Sequence, residues 1–122
     1  MYFKTILVCG GRDYANRDLV FATLDLWVVQ IGEFITLQGG ATGADALAAE
    51  WADSRELPCI RHPARWKWLG HKGAGHARNE EMLKQWKPDA VLAFPGGTGT
   101  HDMKLRAKAR GVHVTEVTDD NG

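Results

Sequence analysis

The chain is short of cysteine and of net charge, and it has no long hydrophobic run; each shortage narrows what it can be. Cys9 and Cys59 are its only cysteines in 122 residues, with no partner close by in sequence. The pattern supplies neither a disulfide framework nor a thiolate metal site, and it suits a reducing, cytoplasmic setting. Fifteen Lys and Arg residues balance fifteen Asp and Glu, which removes the global cationic field that drives non-specific binding to nucleic acid. Any positive patch must be local. The longest apolar run, within Leu24–Ile31, is interrupted by Asp25 and Gln30 and falls well short of the ~20 residues a membrane span needs. With no signal-peptide pattern at the start either, no membrane partner is expected. The length suits one domain over residues 1–117, followed by a polar tail at 118–122.

What the chain does have is glycine, fourteen residues of it, gathered behind strand-like runs. The apolar run Asp89–Phe94 leads into Pro95-Gly96-Gly97-Thr98-Gly99-Thr100 and then into a helical pattern. Glycines let the backbone turn sharply and approach a ligand, while the free N–H groups and dipole of a helix N-terminus favour phosphate. A tight structural turn would explain the glycines alone. It would not require Thr98 and Thr100, whose small hydroxyls add donors without blocking access.

The same motif recurs along the chain. Phe3–Cys9 reads as a buried strand opening into the loop Gly10–Asn16, and Asp18–Ile31 has helical spacing with Asn16 or Asp18 to cap it. Phe34–Gln38 is a second strand, followed by the glycine loop Gly39–Gly43 and the alanine-rich helix Ala44–Arg55. Pro58–His62 is a third strand, and Pro63–Gly75, polar and aromatic without a clear period, reads as a long functional loop. Ala77–Trp86 is a third helix, Asp89–Phe94 the fourth strand, Asp102–Arg110 the fourth helix and Val112–Val117 the last strand. Strands and helices that alternate in this way predict an α/β fold, a Rossmann-like three-layer α/β/α sandwich with a mainly parallel five-stranded sheet. Ligands of such sheets bind beyond the C-terminal strand ends, where all the glycine loops fall.

The segments Gly10-Gly11-Arg12-Asp13-Tyr14, Gly39-Gly40-Ala41-Thr42-Gly43-Ala44-Asp45, Ala74-Gly75-His76-Ala77-Arg78-Asn79 and Pro95–Thr100 together resemble the YspA-like branch of the SLOG superfamily. That superfamily groups Rossmann-like domains similar to the LOG phosphoribohydrolases, the DNA-processing protein DprA and the nucleotide-sensing domains of TRPM channels. The resemblance implies a nucleotide or nucleotide-derived ligand at the Pro-Gly-Gly-x-Gly-Thr loop. In LOG enzymes the motif continues to a glutamate that, with an arginine on an earlier helix, supports cleavage of the N-glycosidic bond of a nucleoside monophosphate. Here the glutamate position is Met103, whose thioether can neither accept a proton nor stabilise a cationic sugar. Asp102 is the neighbouring carboxylate, about 100° away around an ideal helix, and Arg78 is the candidate for the LOG arginine.

The candidate ligand-binding residues are therefore Gly10, Gly11, Arg12, Asp13, Gly39, Gly40, Thr42, Gly43, Asp45, Arg78, Asn79, Pro95, Gly96, Gly97, Thr98, Gly99 and Thr100. Arg12 suits bidentate contact with phosphate, and Asp13 either pairs with it or shapes the turn. Asp45 either caps its helix or accepts from a ribose hydroxyl, or holds a divalent metal through water. No residue set with the spacing of a direct metal site stands out. An arginine at the start of the third helix would oppose the helix dipole, which favours an anionic partner for Arg78. The segment Arg65–Lys72 mixes Trp66 and Trp68 with cations, as base stacking plus phosphate contact requires; packing onto the domain or a second subunit explains Trp66 equally and Trp68 slightly better. His71, His76 and His101 are too scattered to define a metal or acid–base centre.

Three functions follow as expectations. The first is a nucleotide-binding domain that also hydrolyses its ligand's N-glycosidic bond, with Asp102 or Asp45 stabilising the sugar cation and Arg78 or Arg12 orienting phosphate. The second is a non-catalytic sensor or effector in nucleotide-signal or phage-related conflict systems, and the third a DprA-like binder of single-stranded nucleic acid. Homo-oligomers are expected, because the resembling proteins often self-associate and five tryptophans offer apolar contact points.

Overall fold

The computed structural model describes residues 3–64 and 66–119, and for residues 66–72 it describes the backbone only. Nine elements alternate along the chain: β1 Lys4–Cys9, α1 Arg17–Ile31, β2 Phe34–Gln38, α2 Ala44–Ser54, β3 Cys59–Arg61, α3 Trp66–Trp86, β4 Ala90–Ala93, α4 Thr98–Ala109 and β5 His113–Glu116. The strands form one sheet in the order β3-β2-β1-β4-β5, and every pair is parallel. This is the expected Rossmann-like α/β architecture. The strand order reverses between β1 and β4, so the switch point lies where their C-terminal ends separate.

Both faces of the sheet are covered, and the side-chain alternation of β1 and β4 shows how. Ile6, Val8, Leu92 and Phe94 join Val20 and Leu24 of α1 and Ala44, Ala48, Trp51 and Ala52 of α2 in one core. Leu7, Cys9, Val91 and Ala93 point the other way, onto Met82 and Leu83 of α3 and Met103 and Ala107 of α4. Strands buried on both sides read as continuous apolar runs, which is why β1 and β4 are plain in the sequence. Trp51 stacks on Phe34 with ring centroids 5.6 Å apart and donates from Nε1 to Asp25 Oδ1 at 2.8 Å. Its bulk is thus buried while its one polar atom is satisfied. Among the described residues, no helix is long and apolar enough to cross a membrane.

Two expected boundaries are corrected. The helix expected over Ala77–Trp86 begins at Trp66, so most of Pro63–Gly75 is helical rather than a loop. Glycine costs about 1 kcal/mol relative to alanine in a helix interior, a cost that packing can override. Ala74 is fully buried, and Ala74, Arg78 and Met82 recur every four residues along one side of α3. Arg78 consequently sits deep within the helix, and the argument from an opposed dipole at a helix start does not apply to it. The second correction is at α4, which begins at Thr98 rather than Asp102. Its N-cap is Gly97, and no side chain caps it. A helix start without a Ser, Thr, Asp or Asn cap leaves little sign in the sequence.

Candidate functional site

The loop after β1, the loop before α2 and the loop after β4 interlock through their backbones. Gly11 N–H donates to Pro95 O at 2.8 Å, and Gly11 O accepts from Ala44 N–H at 3.1 Å. The packing leaves no room for side chains at the crossing points. A Cβ on Gly96 would lie 2.7 Å from Gly11 N, and one on Gly43 only 2.1 Å from Gly11 O. Gly43 also adopts φ +72°, a conformation that disfavours every residue with a Cβ. These two glycines are therefore required by the fold itself.

Gly97 and Gly99 differ from them. A Cβ at either position would meet nothing within 4 Å, and neither takes a positive φ. The protein's own packing does not require glycine at either place, yet the two flank Thr98 in the first turn of α4, beside a cleft of about 420 Å³. The N–H groups of Thr98, Gly99 and Thr100 have no acceptor among the described residues, and the first bond of the helix runs from His101 N–H to Gly97 O at 3.0 Å. Three such amides at a helix N-terminus, bordered by glycines that keep the approach open, have the chemistry to accept an anion.

In the loop before α2 three amides are already taken. Gly39 and Ala41 donate to Asp45 Oδ2 at 3.1 and 3.2 Å, and Gly40 donates to Gln38 Oε1 at 2.6 Å. Asp45 thus binds the loop preceding its own helix. Burial raises its carboxyl above the usual carboxylate range, although the Ala41 and Gly39 N–H groups and the charges of Arg78 and Arg12 pull the other way. Arg78 crosses from α3, donating from Nη1 to Gly39 O at 3.0 Å and from Nε to Asn79 Oδ1 at 3.2 Å. Burial lowers its affinity for its proton; Asp45 opposes that effect and the like charge of Arg12 adds to it.

Of the residues expected from the sequence, Gly10, Gly11, Arg12, Asp13, Gly39, Asp45, Arg78, Asn79, Gly97, Thr98, Gly99 and Thr100 line the cleft. Gly40, Thr42, Gly43, Pro95 and Gly96 are not part of that lining. Thr42 Oγ1 donates to Arg12 O at 2.8 Å. Asp102 is also absent from the lining: its Oδ2 accepts from Asn79 Nδ2 at 2.9 Å and from Arg106 Nε at 2.8 Å. Met103 is 1% exposed and packed in the α3–α4 core, so the position of the LOG glutamate faces away from the cleft. Asn79 is buried and also donates to Gly99 O at 3.1 Å, which ties α3 to the first turn of α4.

The cleft also takes in Val8, Cys9, Ala41, Gly75, His76 and Met82, which sequence reasoning left out of the site. Their positions carried a signal. Cys9 ends β1 directly before Gly10, and Gly75 and His76 lie one helical turn before Arg78 and Asn79. Burial, assisted by the charge of Asp45, pushes the Cys9 thiol up to about 12, so it remains protonated and unreactive at neutral pH. Among the described residues no cluster of three or more His, Cys, Asp or Glu side chains could hold a metal ion. The side chains of Trp66, Trp68 and His71, and all of Arg65, lie outside the described residues.

Comparison with known proteins fits this geometry. The profile of YAcAr, the YspA, cpYpsA-related SLOG family, matches residues 4–68, which span β1 through the start of α3. The chain belongs to this family. It is also 33% identical over 125 residues to the Gene 61 protein of Mycobacterium phage D29, a match that takes in 95% of this chain and 98% of the phage protein. Membership of the SLOG family suggests nucleotide-related binding or processing.

Proposed function

We propose that the cleft binds a nucleotide or related phosphoribosyl molecule, with a phosphate seated on the N-terminus of α4. One observation carries this reading: the amides of Thr98, Gly99 and Thr100 have no acceptor among the described residues, and the glycines beside them face open space that the fold does not need. Two guanidinium groups, from Arg12 and Arg78, line the same cleft and repel each other. A bound dianion would relieve that repulsion. Calorimetric titration with the four common ribonucleoside 5′-monophosphates tests the reading. Micromolar to millimolar binding of at least one supports it, and heats of dilution alone for all four overturn it.

A second reading, hydrolysis of the ligand's N-glycosidic bond, is favoured by the presence of Asp45 in the cleft. In that reaction the bond between C1′ and the base breaks and the base leaves with the electron pair. Water then adds to C1′, and the products are ribose 5-phosphate and free base. A carboxylate facing C1′ stabilises the cationic sugar and accepts the proton that the water loses. Asp45 is better placed for this than Asp102, because Asp45 lines the cleft and Asp102 does not. Chromatography of the incubated nucleotides separates the outcomes, because binding without release of base identifies a sensor rather than a hydrolase.

A further inference from the structure

The segment after β5 reaches back over the sheet and closes on the loop that follows β1. Val117 N–H donates to Ala93 O at 2.8 Å, which carries the chain past the C-terminal end of β4. Two residues later Asp119 Oδ2 accepts from Tyr14 Oη at 2.7 Å and from Asn16 Nδ2 at 3.1 Å. Asn16 is bound at its other end as well, since its Oδ1 accepts from Leu19 N–H at 3.1 Å and so caps α1. The Tyr14 ring lies against Phe94 with centroids 5.8 Å apart, and Phe94 leads directly into Pro95 and Gly96. One carboxylate therefore closes both partners around the short loop that carries Arg12 and Asp13.

We infer that Asp119 is a positioning residue of the ligand site: through Tyr14 and Asn16 it fixes the Gly10–Asn16 loop in the conformation that sets Arg12 and Asp13 into the cleft. The inference rests on the proposed binding of a phosphorylated ligand, and it adds a part of the chain that the glycine motifs do not reach. Asp119 adds a restraint to those the loop already has. Gly11 is held by Pro95 and Ala44, and Arg12 O by Thr42, whereas the far side, at Tyr14 and Asn16, is anchored to Asp119. A charged acceptor makes these bonds stronger than neutral ones. The Tyr14 phenol, raised to about 12 by burial and by the neighbouring Asp119, remains a donor throughout the physiological range. The strap thus holds its geometry without needing a change of protonation.

The test uses the full chain with Asp119→Ala, Tyr14→Phe, the double variant and Asp119→Asn. Loss of one restraining hydrogen bond should speed hydrogen exchange at the Tyr14 amide, which donates to Gly11 O at 3.2 Å, by about fivefold, with exchange at Leu37 in the sheet unchanged. Affinity for adenosine 5′-monophosphate should fall by a similar factor. The double variant should be no weaker than Asp119→Ala alone, because Asp119→Ala already removes the contact that Tyr14→Phe removes, and Asp119→Asn should recover part of the loss because an amide oxygen still accepts. Ultraviolet titration of Asp119→Ala should show a phenol ionising at lower pH than in the parent. Unaltered Tyr14 exchange in Asp119→Ala, or losses that add in the double variant, overturn the inference while leaving the ligand reading intact. A parent protein that binds none of the nucleotides overturns both.

Discussion

Arg78 donates from Nη1 to Gly39 O at 3.0 Å, and a Cβ built on Gly39 would lie 2.2 Å from that same nitrogen. The glycine is thus the seat of the arginine. Gly39→Ala would displace the far end of a long side chain rather than backbone, so the fold should survive with a loss of about 1 kcal/mol. The guanidinium, however, moves out of the cleft. Thermal melts should change little while affinity for a nucleoside monophosphate drops by roughly tenfold, the value of one charge-assisted contact. Retained affinity would show that Arg78 does not touch the ligand.

Gly99 and Gly43 should respond to alanine in opposite directions. Gly99 lies in the first turn of α4 and a Cβ there meets nothing; Gly99→Ala should raise stability by a few tenths to about 1 kcal/mol. The same methyl occupies the approach to the amides of that turn, so phosphate binding should weaken. At Gly43 the Cβ would strike Gly11 O at 2.1 Å with φ at +72°, and Gly43→Ala should cost about 3 kcal/mol or more through backbone strain. Denaturant melts paired with calorimetry measure both. A Gly99→Ala protein that binds as well as its parent removes those amides from the site.

Much of this arrangement was legible in the sequence, and the reasons for the remainder are physical. The apolar runs of β1 and β4 announce strands buried on both faces, and the glycine loops behind them announce the rim. The sequence does not distinguish Gly43 and Gly96, held against distant backbone, from Gly97 and Gly99, which face open space. That difference arises only when loops separated by dozens of residues meet. The start of α3 was hidden because Gly70, Gly73 and Gly75 look like a loop, and α4 because Gly97 supplies no side-chain cap. Asp45 was read as either a helix cap or a ligand group; no side chain caps α2, and the partners of Asp45, the amides of Gly39 and Ala41, lie before its helix.

Asp45 gives the stability a defined pH dependence. Its carboxyl is raised above the ordinary carboxylate range, chiefly by burial, so the folded state holds this proton more tightly than the unfolded chain does. The contribution is most favourable below the unfolded value and is lost as pH rises through the higher folded one. Asp45→Asn removes that titration and keeps an oxygen for the Gly39 and Ala41 amides. Relative to the parent, the variant should gain stability as pH rises from about 4 to 7, with the difference closing at the acid end. Urea melts across this range check the sign; a variant that loses ground towards neutrality would mean that Arg78 and Arg12 outweigh the burial.

Restoring the LOG glutamate should not restore LOG chemistry. Position 103 is 1% exposed and packs against the sheet with Ala107, Met82 and Leu83, whereas α4 lines the cleft with Thr98, Gly99 and Thr100. Met103→Glu would place a carboxyl where no hydrogen-bond donor was provided for the thioether. An isolated buried charge either stays protonated or forces the core open, and each course costs several times the loss of a methylene. The expected outcome is destabilisation by about 3 kcal/mol or more, read from denaturant melts, with no gain in release of free base. Should the variant fold normally and liberate base, α4 would have to present residue 103 to the cleft, and Asp45 would lose its claim to the carboxylate role.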